Sequence, residues 1–182
     1  MIQLLYRLDI SLLLWIQRTF VNNSVTDFVI AINRLGNFDM VWILISALLF
    51  VRKKTKNIGL LCFVALICSF LINTMLLKNL IGRISPYNAI SLVKLLIKAQ
   101  GSYSFPSEHA SSSFSVVAIL FKKLPKKYGI VSLAFALIIA ISSLYLGLQY
   151  PSDVLMGILI GSFIGYIIVK LDSQIQEIKR DI

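Results

Sequence analysis

Ionisable and hydroxyl side chains are concentrated in three short stretches of a chain that is otherwise strongly apolar. The stretches read KNLIGRISPY (78–87), YSFPSEHASSS (103–113) and SSLYLGLQYPSDVLMG (142–157), and each adjoins an apolar run. The second contains His109, the single histidine of the sequence, whose charge can change near neutral pH. Ionisable groups held at the depth of a membrane are functional candidates, so we predict that the three stretches meet in one pocket.

The composition places these stretches in an integral membrane protein. Of the 182 residues, 58% are hydrophobic and 14% are charged, and the mean hydropathy is +0.85. A soluble domain has about 45–50% apolar and about 25% charged residues, and a chain of this size cannot bury so much apolar surface. Secreted disulfide scaffolds, nucleic-acid-binding modules and disordered tails are therefore excluded.

Five apolar runs have the character of membrane-spanning helices. Residues 58–77 carry no charge over twenty positions, residues 128–150 form a second uncharged run, and residues 154–169 form a shorter third. Residues 38–51 make a fourth. Residues 106–121 make a fifth, which begins with serines and therefore suits a helix packed inside a bundle. We predict an all-α integral membrane protein, a bundle of five transmembrane helices.

The N-terminal stretch differs from these runs because its polar residues recur at helical spacing. Gln3, Arg7, Ser11 and Arg18 follow this spacing, and leucine and tryptophan residues occupy the remaining face. The pattern favours an amphipathic helix that lies in the membrane interface, with a sixth span as the alternative.

Basic clusters predict the orientation of the chain. There are 18 Lys and Arg against 8 Asp and Glu, a formal charge of +10, and the densest runs are 52–56 and 122–127. Cytoplasmic loops are enriched in lysine and arginine, so we place both runs and the C-terminus inside and the polar stretches outside, with a bacterial cytoplasmic membrane as the host membrane. The chain divides into an N-terminal amphipathic segment (1–35), a transmembrane bundle (36–170) and a cytoplasmic tail (171–182).

Taken together, the three stretches resemble the type 2 phosphatidic acid phosphatase superfamily, over about residues 36 to 170. The motifs of that family read Lys-x6-Arg-Pro, Pro-Ser-Gly-His and Ser-Arg-x5-His-x3-Asp. The positions that match them are Lys78, Pro86, Pro106, Ser107, His109, Ser143 and Asp153. The resemblance implies a helical membrane phosphatase fold, a phosphorylated lipid or isoprenyl phosphate as partner, and no metal or other cofactor.

The sequence departs from the motifs where the family's chemistry needs them most. The departing positions are Ser85 and Leu144 in place of arginine, Glu108 in place of glycine, and Gln149 in place of histidine. By resemblance that last histidine is the nucleophile, and an amide nitrogen has no available lone pair to replace it. Glu108 adds a negative charge where a phosphate should sit. The resemblance also makes His109 the general acid and Asp153 the residue that orients the nucleophile.

We therefore predict a catalytically degenerate lipid-phosphatase-like protein. It would bind, escort or translocate a lipid phosphate or head group, or act as a subunit of an envelope complex. The expected head-group-binding residues are Lys78, Arg83, Ser107, Glu108, His109 and Gln149. The alternative is an active lipid phosphate or isoprenyl pyrophosphate phosphatase with a modified mechanism centred on His109, together with Asp153. A third interpretation is structural, with the pocket closed by a bridge from Glu108 to Lys78 or Arg83.

Several of these residues also have ordinary structural explanations. Lys78 and Arg83 can anchor helix ends at the membrane interface. Asp153 precedes an apolar run and can cap the last helix, and it stays compatible with orienting Gln149. Asn73, inside a span, favours a contact between helices over a role as a ligand.

Small and sulfur-containing residues complete the pattern. Gly157, Gly161 and Gly165 recur every four residues and allow another helix to approach closely, within the monomer or in a homodimer. Cys62 and Cys68 are expected to be unpaired thiols, because six positions on a helix separate their Cα atoms by about 9 Å. With one histidine, and two cysteines on one helix, no zinc ligand set can be assembled, so no metal is expected.

Overall fold

The computed structural model describes residues 2–36, 39–99 and 101–181, and these residues are predominantly helical. The helices are α1 (Ile2–Phe20), α2 (Asn23–Gly36), α3 (Met40–Val51), α4 (Lys56–Phe70), α5 (Lys78–Ile81), α6 (Pro86–Ala89), α7 (Glu108–Lys123), α8 (Lys126–Tyr145) and α9 (Pro151–Asp181). A π-helical segment, Leu71–Leu77, joins α4 to α5, so that the three form one continuous rod. The predicted all-α class is confirmed.

Three helical segments in the described part of the chain are long and apolar enough to cross a membrane, so the chain is an integral membrane protein. They are Lys56–Ile81, Lys126–Tyr145 and Pro151–Arg180, with 26, 20 and 30 residues. The apolar helix α3 is shorter, with 12 residues, and the first position of the span predicted at 38–51 lies outside the described residues. Length and composition alone thus support three of the five predicted spans.

Two helix ends differ from the boundaries that the sequence predicts. Helix α8 ends at Tyr145, before the uncharged run 128–150 finishes, because Gly147 adopts a left-handed conformation with φ of 76° that an α-helix cannot continue. Helix α9 continues through residues 171–181, so the residues assigned to a tail are the last turns of that helix. The turn after α8 places Gln149 two residues before the first residue of α9.

Helix α7 lies at the centre of the bundle and packs against α4, α8 and α9. Its serines are buried and hydrogen-bonded, as buried hydroxyl groups require, and Ser111, Ser112 and Ser113 have partners outside α7. Trp42 Nε1 donates to Ser113 Oγ at 2.7 Å, and Asn73 Nδ2 donates to Ser111 Oγ at 2.7 Å. Both expectations, a polar helix inside the bundle and Asn73 as a contact between helices, are confirmed.

The glycine stripe of α9 faces α7 within the same chain. An added Cβ at Gly157, Gly161 or Gly165 would meet a backbone carbonyl oxygen of α7 or of Ser107, the residue before it, at 2.6, 2.1 and 2.4 Å. Only a hydrogen atom fits at these positions, so the two helices touch along their backbones. The interpretation of the stripe as packing within the monomer is confirmed.

Helix α1 is fixed to the bundle by a face that the amphipathic pattern did not reveal. Asp9, Leu13 and Gln17 stand four residues apart and are 5%, 0% and 8% exposed. Gln17 Nε2 donates to the Lys94 carbonyl at 2.8 Å, and the Lys94 amide donates back to Gln17 Oε1 at 3.0 Å. The predicted helix is confirmed, and its position in the membrane interface stays a prediction.

The polar stretches lie at one end of the bundle and the basic runs lie at the other. Ion pairs link 78–87 to both 103–113 and 142–157, which brings the three stretches together. At the opposite end Lys123 pairs with Asp172 at 2.5 Å. This separation agrees with the expected placement of all basic runs on one side of the membrane.

Candidate functional site

A cavity of about 860 Å³ opens beside the N-terminus of α7, between α3 and the rod that contains α4. Its polar lining includes Asp39, Thr74, Lys78, Glu108, His109 and Ser112. Its apolar lining includes Ile43, Phe63, Leu66, Ile67 and Phe70. A cavity of this size with a polar end and an apolar wall has the dimensions and chemistry of a site for an amphiphile.

An ion pair between Lys78 and Glu108 lies at the polar end of the cavity. Lys78 Nζ is 3.1 Å from Glu108 Oε1, and the Thr74 hydroxyl donates a hydrogen bond to the same oxygen. Glu108 is the first residue of α7 and Lys78 follows the π-helical segment, so the ends of two helices face each other here. Of the two bridges that the sequence allowed for Glu108, the one to Lys78 is formed.

Asp39 contributes a second carboxylate to the cavity. It precedes α3 in a left-handed conformation with φ of 53°, and the Ser112 hydroxyl donates a hydrogen bond to its Oδ1 atom. The carboxylates of Asp39 and Glu108 thus both line the polar end of the cavity.

Arg83 lies outside the lining of this cavity, in an ion network that joins three parts of the chain. Its Nη1 atom is 2.5 Å from Asp153 Oδ1, its Nη2 atom is 2.6 Å from Asp9 Oδ2, and its guanidinium stacks 4.0 Å from the centre of the Tyr150 ring. Asp9 also accepts hydrogen bonds from the Ser152 amide at 2.9 Å and the Ser152 hydroxyl at 2.6 Å. The carboxylate of Asp9 thereby holds α1 to the start of α9.

Removing the Asp9 carboxylate is expected to destabilise the fold. Asp9 is 5% exposed, and its loss removes one of the two carboxylates paired with Arg83 and the acceptor of both Ser152 hydrogen bonds, so Asp9→Ala should lower the free energy of unfolding by about 3 kcal/mol. Thermal unfolding in detergent micelles measures this, with Asp27→Ala, which removes an exposed acid from α2, as the matched control. Equal transitions for the two variants would show that the network does not fix α1.

Asp153 and Ser107 accept hydrogen bonds from backbone amides at the first turns of α9 and α7. Asp153 Oδ2 accepts a hydrogen bond from the Tyr150 amide at 3.1 Å, as an acidic residue in the first turn does in a capping box. Ser107 Oγ accepts one from the Ala110 amide at 3.4 Å, and the Ser107 amide donates to the Asp153 carbonyl at 3.1 Å. Asp153 therefore caps the first turn of α9 from the third position of the helix, and not as the N-cap residue that the sequence predicts.

Uncharged side chains occupy three of the positions that depart from the family motifs. Leu144 packs against Ala110 and Val154, and Ser85 is 1% exposed. Gln149 is half-buried, and its Oε1 atom has no hydrogen-bond partner in the described part of the chain.

Counted back from Gln149 and Asp153, the spacing of the third motif puts its serine at Ser142 and its arginine at Ser143, one residue before Leu144, and Ser143 is 0% exposed. Cationic donors that the resemblance would lead one to expect are thus replaced by small or apolar groups at positions 85, 143 and 144.

The predicted head-group residues fall into two groups at the same end of the bundle. Those lining the cavity are Lys78, Glu108 and His109, and those outside its lining are Arg83, Ser107 and Gln149. The cavity is also lined by Asp39, Thr74 and Ser112, which were not among the predicted site residues. The available signal was spacing, because Thr74 and Ser112 stand four residues from Lys78 and Glu108 and so share a helix face with them. Among the described residues, no three His, Cys, Asp or Glu side chains are grouped as metal ligands.

A helical membrane bundle with lysine and histidine in one cavity at the helix ends defines a lipid-phosphatase-like protein. The family model of the PAP2 superfamily matches residues 57–176. The chain therefore belongs to the PAP2 superfamily, and the resemblance seen in its motifs is confirmed.

Curated relatives carry the names of lipid phosphatases. The chain is 32% identical over 138 residues to an undecaprenyl-diphosphatase of Sulfolobus acidocaldarius, an alignment that covers 74% of this chain and 65% of the relative. It is 30% identical over 148 residues to phosphatidylglycerophosphatase B of Bacillus subtilis, covering 76% of this chain and 69% of the relative. A lipid A 4'-phosphatase of Bacteroides thetaiotaomicron is 32% identical over 110 residues, which span 55% of this chain and 49% of that protein. The chain thus spans less than two thirds of two of these relatives.

Two solved structures share the fold. The PAP2-type phosphatidylglycerolphosphate phosphatase from Bacillus subtilis superimposes with a TM-score of 0.73 at 26% identity, over 91% of this chain and 86% of that one. LpxE from Aquifex aeolicus superimposes with a TM-score of 0.79 at 22% identity, over 90% and 95% of the two chains, and this likeness concerns the fold alone.

Proposed function

We propose that this chain is a PAP2 protein that binds a lipid phosphate or its head group without hydrolysing it. In this role it escorts or translocates the lipid, or serves as a subunit of an envelope complex. The observation that carries the proposal is Gln149 at the motif position of the histidine nucleophile. Its amide nitrogen has no available lone pair, so Gln149 cannot attack phosphorus.

The charges around the site support the loss of hydrolysis. A phosphoryl group in transfer spreads negative charge over its equatorial oxygens, so catalysis relies on cationic donors. Arg83 already binds the carboxylates of Asp9 and Asp153, and Lys78 is paired with Glu108. A phosphate entering the cavity would meet the Glu108 carboxylate at short range, where like charges repel.

The names of the relatives support a phosphorylated lipid as the ligand class. Undecaprenyl-diphosphatase and phosphatidylglycerophosphatase act on an isoprenyl diphosphate and a phosphatidylglycerophosphate, and the apolar wall of the cavity here suits chains of either kind. The basic runs 52–56 and 122–127 at the opposite end support a site on the outer side of a bacterial cytoplasmic membrane, with the C-terminus inside.

A second candidate function, an active phosphatase with a modified mechanism, is favoured by the presence of His109 and Lys78 in one cavity. In that mechanism His109 acts as the nucleophile or activates a water molecule, and Lys78 holds the phosphate. Asp153 would take part by positioning the start of α9, since its carboxylate is bonded to Arg83 and Tyr150.

Phosphate release by the purified chain in detergent micelles separates the two candidates. The panel contains phosphatidic acid, phosphatidylglycerol phosphate, and isoprenyl mono- and diphosphates, and the phosphatase from Bacillus subtilis is the positive control. We expect no release above that of the His109→Ala variant, because loss of a nucleophile cost about 10⁶ in turnover in another enzyme.

Phosphate release by the unaltered chain would support the second candidate function, and two variants test it. Release that disappears in His109→Ala and persists in Gln149→Ala would contradict the proposal and establish the second candidate. Absence of release, together with a phosphorus-containing lipid that is retained through purification and identified by mass spectrometry, is the result we expect.

A further inference from the structure

We propose that the cavity selects a lipid whose head group carries a protonated amine beside its phosphate. This inference rests on the proposed function, in which the cavity binds a head group without hydrolysing it.

The described lining of the cavity carries more negative than positive charge. Its charged side chains are the carboxylates of Asp39 and Glu108 and the ammonium group of Lys78. Because Lys78 is already 3.1 Å from Glu108, a ligand that is only anionic gains little from the lysine and is repelled by both acids. A ligand that brings its own ammonium group compensates the second carboxylate.

Both carboxylates line the same cavity, and one serine connects the segments that carry them. Ser112 Oγ donates to Asp39 Oδ1 and lies 2.8 Å from the backbone carbonyl oxygen of Glu108, one turn earlier on α7. The contacts described for the Glu108 carboxylate, from Thr74 and Lys78, both fall on Oε1. An ionised carboxylate accepts at two oxygens and an ammonium group donates three hydrogen bonds, so a ligand ammonium group in the cavity has acceptors from both acids.

The remainder of the cavity indicates a lipid rather than a soluble amine. The apolar wall includes Ile43, Ile67 and Phe70, which are 44%, 57% and 51% exposed on the outside of the bundle. This wall therefore continues from the polar end of the cavity to the surface that faces lipid, as an acyl or isoprenyl chain requires. Once a ligand ammonium group compensates the acids, the positive charge of Lys78, beside Glu108, can face the phosphate of the same head group.

The proposal is tested by lipid binding to the full chain in detergent micelles, measured by native mass spectrometry and by isothermal titration. The probes are short-chain phosphatidylethanolamine, phosphatidic acid with the same chains, and a long-chain alkylamine without phosphate. We expect phosphatidylethanolamine to bind at least about tenfold more tightly than phosphatidic acid, because a charge-assisted hydrogen bond is worth about that factor. The alkylamine should bind between the two.

Two variants test whether Glu108 and Asp39 cause the preference for a lipid with an ammonium group. Glu108→Gln should weaken phosphatidylethanolamine binding by about tenfold and strengthen binding of phosphatidic acid, since it removes a repelling charge and releases Lys78. Asp39→Asn should weaken phosphatidylethanolamine binding with Lys78 still paired, and it keeps the test decisive should Glu108→Gln fail to fold. Glu177→Gln, at an exposed position of α9, is the matched control and should change neither affinity.

The outcomes distinguish this inference from the function on which it rests. Equal binding of phosphatidylethanolamine and phosphatidic acid, or tighter binding of phosphatidic acid, would overturn the amine preference and leave head-group binding in place. Binding of none of the three probes would overturn both. Unchanged affinities in Asp39→Asn and Glu108→Gln would also overturn the preference, because the amine would then be held elsewhere.

Discussion

The double substitution Glu108→Gly and Gln149→His is expected to give this protein measurable phosphatase activity. At position 149 an imidazole supplies the lone pair that the amide lacks, and at position 108 the loss of the carboxylate releases Lys78 for a phosphate. We expect release at least about a thousandfold above that of the unaltered chain, because loss of a nucleophile costs about 10⁶ and the absent arginines limit the recovery.

The two arginines that the motifs contain form the second step of the same experiment. Ser85 is 1% exposed and Ser143 is 0% exposed, so an arginine at either position has to displace its neighbours. For this reason the double variant is made first. A fourfold variant that adds Ser85→Arg and Ser143→Arg should release phosphate faster still, because it returns two cationic donors to the phosphoryl group.

Release of inorganic phosphate from phosphatidic acid in micelles is the measurement. Glu108→Gly combined with Gln149→Asn is the matched control, since it changes the same positions without adding a nucleophile, and it should stay inactive. Adding His109→Ala to the active variant should abolish release. If both restored variants fold, retain lipid and release no phosphate, the motif departures do not explain the inactivity that we propose.

The membrane fold could be predicted because its signals are local. Uncharged runs, the serine-rich start of α7 and the four-residue repeat of Gly157, Gly161 and Gly165 are each contained within one helix. The pairing of Glu108 with a nearby cation was within reach for the same reason, because motif positions already placed Lys78 at the same end of the bundle.

The contacts that determine the charge of the site could not be predicted in this way. Asp9 and Arg83 are 74 positions apart, and Asp39 and Ser112 are 73 positions apart. A local pattern says that an acid interrupts an apolar stretch, but it does not say which base that acid meets. Arg83 was therefore expected at the head group, whereas its guanidinium binds carboxylates from α1 and α9.

The end of α8 could not be predicted from the sequence either. The uncharged run 128–150 contains no charge to mark a boundary, and the conformation of Gly147 ends α8 earlier. A glycine within an apolar run is equally common in packed helices, so its positive φ follows from the tertiary structure. That turn matters for the site because it determines where Gln149 lies relative to α9.

The second large effect is expected at the contact between α7 and α9. Replacing Gly161 with valine should lower the free energy of unfolding by about 3 kcal/mol, because overpacking a tight contact forces the backbones apart. An added Cβ would lie 2.1 Å from the carbonyl oxygen of Ser111, an atom that cannot rotate away as a side chain can. The start of α7 carries Glu108 and His109, so the same displacement should also reduce lipid retention.

Thermal unfolding in detergent micelles measures this effect, with Leu159→Val as the matched control because Leu159 is 62% exposed on the same helix. The backbone origin of the conflict gives a sharper test. Adding Ser111→Ala to the Gly161→Val variant should not restore stability, since the opposing atom is the carbonyl oxygen of residue 111 and remains in place. Restored stability would instead assign the conflict to the serine side chain, and α7 and α9 would then not be in backbone contact.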